Sequence, residues 1–146
     1  MSWKQDLDRV LAHAREAASR SGQWSAPFKK ELLMAVASEI ESRSAWIVRQ
    51  NCKDLVKARS AGLSSAMIDR LTLTEKRVKA MADGVRAVAR LSDPIGKVLA
   101  RWSRPNGLKL QKISVPLGVI LMIYESRPNV TVECAALCLK SSNVAI

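Results

Sequence analysis

The chain is poor in the side chains that most enzymes use for chemistry: among 146 residues there is one histidine, one tyrosine, one phenylalanine and three cysteines. A lone His13, set on a surface-facing helix, supports neither a Ser-His-Asp triad nor a zinc site, so no metal is expected. The odd cysteine count fits a reducing compartment in which thiols serve as small hydrophobes. Cys134 and Cys138, four apart on one helix, read as core residues, and Cys52, near a helix junction, has no basic partner to activate it. No apolar h-region follows Met1. The longest apolar run, Val115 to Tyr124, is about half of the ~20 residues a membrane span needs and contains Pro116 and Gly118. The expected location is therefore cytoplasmic, with no membrane partner, and the glycosylation triplet Asn129-Val130-Thr131 has no secretory route to give it meaning.

Acidic residues are scarce too: 13 stand against 24 Lys and Arg, for a net charge of +11. Such a chain attracts anions non-specifically whatever its fold. The excess is spread over both halves and forms no basic tail. Lys29-Lys30 and Lys76-Arg77-Lys79 sit inside amphipathic stretches and read as solvated faces. No zinc spacing, RNP-like aromatic cluster or recognition-helix pattern is present, so no specific nucleic-acid partner is expected. The tryptophans Trp3, Trp24, Trp46 and Trp102 read as packing or interface residues.

What is present is helical periodicity as far as residue 91. Leu7, Val10, Leu11, Ala14 and Ala18 share one face between a Ser2 cap and a Gly22 stop. Leu33, Val36, Ala37, Ile40 and Ile47 predict a longer second helix, and Leu55-Val56 a short third one closed by Gly62 in the left-handed region. A short turn follows Ser64-Ser65. Thr74 then caps the clearest helix, whose stripe is Val78, Met81, Ala82, Val85, Val88 and Ala89, and Asp93-Pro94 ends it. Beyond Pro94 the period changes. Val98–Ser103 and Leu108–Val115, joined by Arg104-Pro105-Asn106-Gly107, predict a hairpin with one wet face. Val119 to Tyr124 is apolar on both sides, as in a strand of a parallel sheet covered by helices. A polar loop, a helix through Val132, Ala135, Ala136 and Leu139, and a strand from Val144 to Ile146 complete a strand-helix-strand unit. Two parallel strands cannot bury both faces, so the expectation is an incomplete α/β fold, part of something longer.

In open α/β sheets, ligands bind beyond the carboxyl ends of the strands, where helix N-termini present free amides. The loop Glu125 to Asn129 has that place. Two readings stay open on the residues alone: Asn129 caps a helix beginning near Val130 while Arg127 pairs with Glu125 at the surface, or Ser126, Arg127 and Asn129 receive an anion. There is no G-x-G-x-x-G fingerprint to make this a standard dinucleotide loop.

The run Val115-Pro116-Leu117-Gly118-Val119-Ile120, the run Met122 to Val132 (MIYESRPNVTV) and Leu137-Cys138-Leu139-Lys140-Ser141 resemble the gamma-glutamyl phosphate reductase family of the aldehyde dehydrogenase superfamily. So do Asn51 to Leu55, Gly62-Leu63-Ser64, Met67 to Leu71 and Asp93 to Gly96. The resemblance covers the whole chain and corresponds to the family's N-terminal third. It implies the beginning of an aldehyde-dehydrogenase-like dinucleotide-binding domain across 1–146: helices over 1–91, an oligomerisation hairpin over 98–115, and the start of a parallel sheet over 118–146. It implies NADPH-dependent reduction of L-glutamyl 5-phosphate to glutamate 5-semialdehyde with release of phosphate, in proline biosynthesis, by a homo-oligomer. In that chemistry a cysteine thiolate forms a thioester that hydride then reduces.

On the same resemblance Tyr124, Glu125, Ser126, Arg127 and Pro128 wall the NADP cleft, and Asn129 donates to the developing oxyanion. The family places glycine where this chain has Ser142, which in a left-handed helix stop costs serine about 1 kcal/mol. The family's arginine-glycine-glycine turn and catalytic cysteine have no counterpart in these residues, so the chain alone is expected to be inactive. Two alternatives come from other classes: a non-catalytic product that associates with full-length subunits, and an incidental anion or nucleic-acid binder. A half of a bifunctional synthase is a third possible parent.

Overall fold

The computed structural model describes residues 2–125 and 127–146. Helix α1 (Trp3–Ser21) opens at Ser2, whose backbone N–H donates to Gln5 Oε1 at 3.0 Å. Ser25 caps α2 (Ala26–Ser42) by accepting from the Phe28 amide, and Pro27 sits within its first turn. The long second helix expected from Leu33 to Ile47 is instead two helices. Arg43 turns the chain, and Ile47 belongs with Leu55 to α3 (Ser44–Ser60). Leu55 therefore lies on a full-length helix rather than a short one, and Cys52 lies mid-helix rather than at a junction. Gly62 closes α3 at φ +74, as its position predicts. Ser64 caps α4 (Ser65–Leu71), and Thr74 Oγ1 caps α5 (Glu75–Arg90) by accepting from the Arg77 amide at 3.2 Å.

Helix α5 forms the centre because its apolar stripe faces inward: Val78, Met81, Ala82, Val85 and Ala89 are buried and Val88 is half-buried beside them. It packs against α2 and α6 (Pro128–Lys140) through Leu33, Ala37 and Ala136, each at 2% exposure or less. The alanines at these positions let the three helices approach closely. A second cluster of Leu73, Val78 and Met81 joins α3 through Ile47 and Val48.

The α4–α5 linker is fixed from α3. Asn51, buried, donates from Nδ2 to Leu71 O at 2.9 Å and accepts from the Leu73 amide at 2.7 Å.

Strands β1 (Val98–Ser103) and β2 (Lys109–Ile113) form an antiparallel hairpin turned at Gly107, φ +84. One wet face is expected for it. Both faces are exposed apart from a half-buried Leu110, because no other described element covers either side.

The pair β3 (Val119–Ile120) and β4 (Val144–Ala145) is parallel, extended by the Met122 amide donating to Ile146 O at 2.8 Å. Helices α1 and α6 pack against it, while Leu117, Leu121 and Ile123 remain exposed. The strand expected from Val119 to Tyr124, covered on both faces, is thus shorter and more open: only Val119–Ile120 pairs as β3, and Leu121, Ile123 and Tyr124 are exposed because no described element covers them.

Lys29 departs most clearly from the pattern of charges. The Lys29-Lys30 step reads as solvated surface, yet Lys29 is 1% exposed and its ammonium lies 2.6 Å from Asp93 Oδ2 and 3.0 Å from Ser142 Oγ. Ser21 Oγ donates to Ser142 O at 3.0 Å, and the buried Lys140 donates to Ala89 O at 2.9 Å. Ser142 itself is buried at φ +55, the left-handed stop that follows α6. Charged side chains are buried when paired, and this group ties α2, the end of α5 and the entrance to β4 together. Burial pushes the Asp93 carboxyl up, but the Lys29 ammonium and the Ile95 amide outweigh it and hold the group below its ordinary value.

Candidate functional site

The loop of residues 121–125 follows the carboxyl end of β3, and α6 begins at Pro128, an order of elements that presents helix N-terminal amides beside a parallel sheet. Helix α6 starts at Pro128, two residues before the expected Val130, because proline's fixed φ suits the first helical position. Asn129 is consequently a first-turn residue and not the cap. Its Nδ2 donates to Glu133 Oε1 one turn on, at 3.2 Å, and the residue is half-buried. Arg127 occupies the cap position with no side-chain capping bond. Its amide donates to Glu125 O at 2.6 Å, a backbone link. The surface pairing of Arg127 with Glu125 is not formed, since the Glu125 carboxylate faces Arg70 of α4 at 3.4 Å.

Tyr124 OH lies 2.6 Å from Thr131 Oγ1 and ties the loop to the first turn of α6. Ser126, another expected cofactor residue, lies outside the described residues. Tyr124, Glu125 and Arg127 are exposed, and Pro128 is half-buried.

Beside this loop, residues of α4, α5, the segment between them and the first turns of α6 line a cleft of about 410 Å³. Leu73 and Met81 are part of its wall, and Arg127, Pro128 and Asn129 line it from the α6 side. Opposite them stand Asp69, Arg70 and Arg77, which reading along the sequence does not associate with the loop. Arg77 is more than a solvated charge: Nη1 donates to Asp69 O at 2.5 Å and Thr72 O at 2.7 Å, and Nη2 to Asp69 Oδ1 at 3.0 Å. The only sequence signal for this wall is that Asp69-Arg70-Leu71 falls within one of the family-like runs.

The cysteines take no part. Cys138 is buried, and burial followed by the neighbouring Cys134 pushes its thiol up, the wrong direction for a nucleophile. Among the described residues no three His, Cys, Asp or Glu side chains come together to hold a metal, and no helix is long and apolar enough to cross a membrane.

No protein-family model matches the chain. Curated relatives do. The gamma-glutamyl phosphate reductase of Nitrobacter winogradskyi is 50% identical over 137 residues, 94% of this chain and 32% of that protein. That of Geobacter metallireducens is 48% identical over 146 residues, the whole of this chain and 35% of the relative. The chain is homologous to the N-terminal third of gamma-glutamyl phosphate reductase. Crystal structures of the reductase extend the match to the fold. The Thermotoga maritima enzyme superposes with a TM-score of 0.86 at 38% identity, over 90% of this chain and 32% of the other. The Saccharomyces cerevisiae enzyme gives 0.90 at 32% identity, over 99% and 36%. The chain thus spans about a third of the length of the reductases it matches, and its helices and small sheets are those of their N-terminal part.

Proposed function

We propose that the chain forms the N-terminal part of an NADPH-dependent oxidoreductase that converts L-glutamyl 5-phosphate to glutamate 5-semialdehyde and phosphate in proline biosynthesis. The observation that carries this reading is the roughly half-identical sequence shared with reductases over nearly every residue present. In it, β3, α6 and β4 begin a dinucleotide-binding sheet of the aldehyde dehydrogenase type.

The residues fit the nicotinamide end of the cofactor better than its diphosphate. The loop leads from a strand's carboxyl end to a helix N-terminus, which suits a polar ring and an adjacent anion. No glycine occurs between residues 119 and 146, so nothing there allows a diphosphate the close backbone approach it needs. Bound NADPH would supply hydride. The chain's own contribution is positional: Tyr124, Glu125, Arg127 and Pro128 wall the nicotinamide side of the loop, and Asn129 presents an amide N–H to the oxygen on which charge develops. Ser126 completes that wall in the proposal. The thiol nucleophile comes from outside these residues, so the chain by itself is inactive. The β1–β2 hairpin, exposed on both faces with Leu99 and Trp102 outward, serves as a contact between subunits.

The test is a chimera in which this chain replaces the N-terminal third of the Geobacter metallireducens reductase. Asn129→Ala should lower kcat by about 10²–10³ with little change in KM for NADPH, the usual loss for one oxyanion donor. An unchanged kcat removes Asn129 from the reaction.

A further inference from the structure

The cleft between α5 and α6 carries charges of both signs around an apolar wall, which is an unusual lining for a site that only meets phosphate. Leu73 and Met81 are nearly fully buried in the core and contribute the apolar part. Arg77 is held rigid by two backbone carbonyls and Asp69 Oδ1. Those three bonds leave two of the five guanidinium N–H donors for a ligand. Asp69 is occupied by Arg77, so the acid left to meet a cation is Glu133, whose Oε1 already accepts from Asn129. A ligand that satisfies this set has a carboxylate, an ammonium and a short aliphatic stem.

We propose that the cleft is the subsite for the amino-acid end of the substrate, with its carboxylate on Arg77, its ammonium on Glu133 and its stem on Leu73 and Met81. This rests on the reductase reading and deepens it. Because Glu133 also orients the Asn129 amide, occupation of the cleft couples recognition of the amino acid to the position of the oxyanion donor. Arg77 and Glu133 are thereby binding residues on two different helices.

The experiment is a titration of the isotopically labelled 146-residue chain, followed by amide shifts, with L-glutamate, glutarate and inorganic phosphate as probes. L-Glutamate should saturate shifts at residues 72–81 and 129–133, while glutarate, lacking the ammonium, and phosphate bind at least fivefold more weakly. Glu133→Gln, on an exposed helix face, should shrink the glutamate preference over glutarate to under twofold. Arg77→Lys, which keeps the charge but loses the fork, should weaken both dicarboxylates at least fivefold. Equal binding of phosphate and glutamate at these residues, or no saturable response to glutamate, overturns the assignment. A parallel titration with NADP+ separates the two readings. Shifts confined to residues 124–129 with no glutamate response would sink the subsite and spare the cofactor cleft, and the reverse pattern would do the opposite.

Discussion

Replacing Asp93 by asparagine should cost more stability than replacing Lys29 by methionine, and combining the two should recover much of the loss. The asymmetry follows from burial. Lys29 is 1% exposed, so Asp93→Asn leaves an ammonium in the interior with neutral oxygens to receive it and no counter-charge. Removing one partner of a buried pair typically costs about 3–5 kcal/mol. Lys29→Met leaves a carboxylate that is 16% exposed to water and still accepts from the Ile95 amide at 2.9 Å, so a loss of about 1–3 kcal/mol is expected. In the double variant neither charge is stranded, and the thioether fills the space of the lysine stem. It should be more stable than Asp93→Asn alone. Against a typical total of about 5–15 kcal/mol, a 4 kcal/mol loss would move a urea midpoint by about 2 M at a slope of ~2 kcal/mol per M.

The pH dependence follows the same pair. The folded Asp93 carboxyl lies below its unfolded value, so its contribution is present above about pH 4 and is lost as pH falls through the depressed folded value. The charged groups facing it are Lys29 and Lys140. Asp93→Asn should therefore flatten part of the acid limb of stability. Urea curves in which Lys29→Met is the more damaging single change, or in which the double loss equals the sum, would refute the buried-pair reasoning.

Two further substitutions probe contacts between elements. Ser142→Ala keeps the left-handed strain and removes one of the two residues that accept from Lys29, for a loss of about 1–3 kcal/mol; Ser142→Gly relieves about 1 kcal/mol of that strain and should rank between alanine and the native residue in thermal unfolding. Asn51→Leu breaks both bonds that fix the α4–α5 linker and strands the Leu73 amide, so chemical denaturation should register a loss of about 2–4 kcal/mol, with a value under 1 kcal/mol refuting the clip.

Much of the fold is legible in the sequence because its signals are local. Thr74, the α5 stripe and the left-handed Gly62 each act within a turn or two of themselves. The break at Arg43 is not legible, since no glycine, proline or capping side chain marks it and the apolar spacing runs across it from Ile40 to Ile47. The burial of Lys29 is hidden for a different reason. A lysine reads as surface until its counter-ion, 64 residues away in Asp93, is brought beside it. The candidate site divides in the same way. Its loop and Asn129 lie within one run that the family resemblance marks, whereas Arg77 faces them only because α5 and α6 pack side by side. Ser142 shows both kinds of information meeting. Its backbone role is readable as a helix stop, but its hydroxyl's partner is set by tertiary packing.

The rim formed by Leu117, Leu121 and Ile123 gives the isolated chain a colloidal character of its own. Greasy side chains beside a short, uncovered strand are an adhesive template on which another copy can add. The +11 charge is the opposing influence, keeping copies apart by mutual repulsion over a Debye length. Salt shortens that range without weakening the apolar attraction, so the ionic strength of the buffer sets whether these molecules stay dispersed or clump.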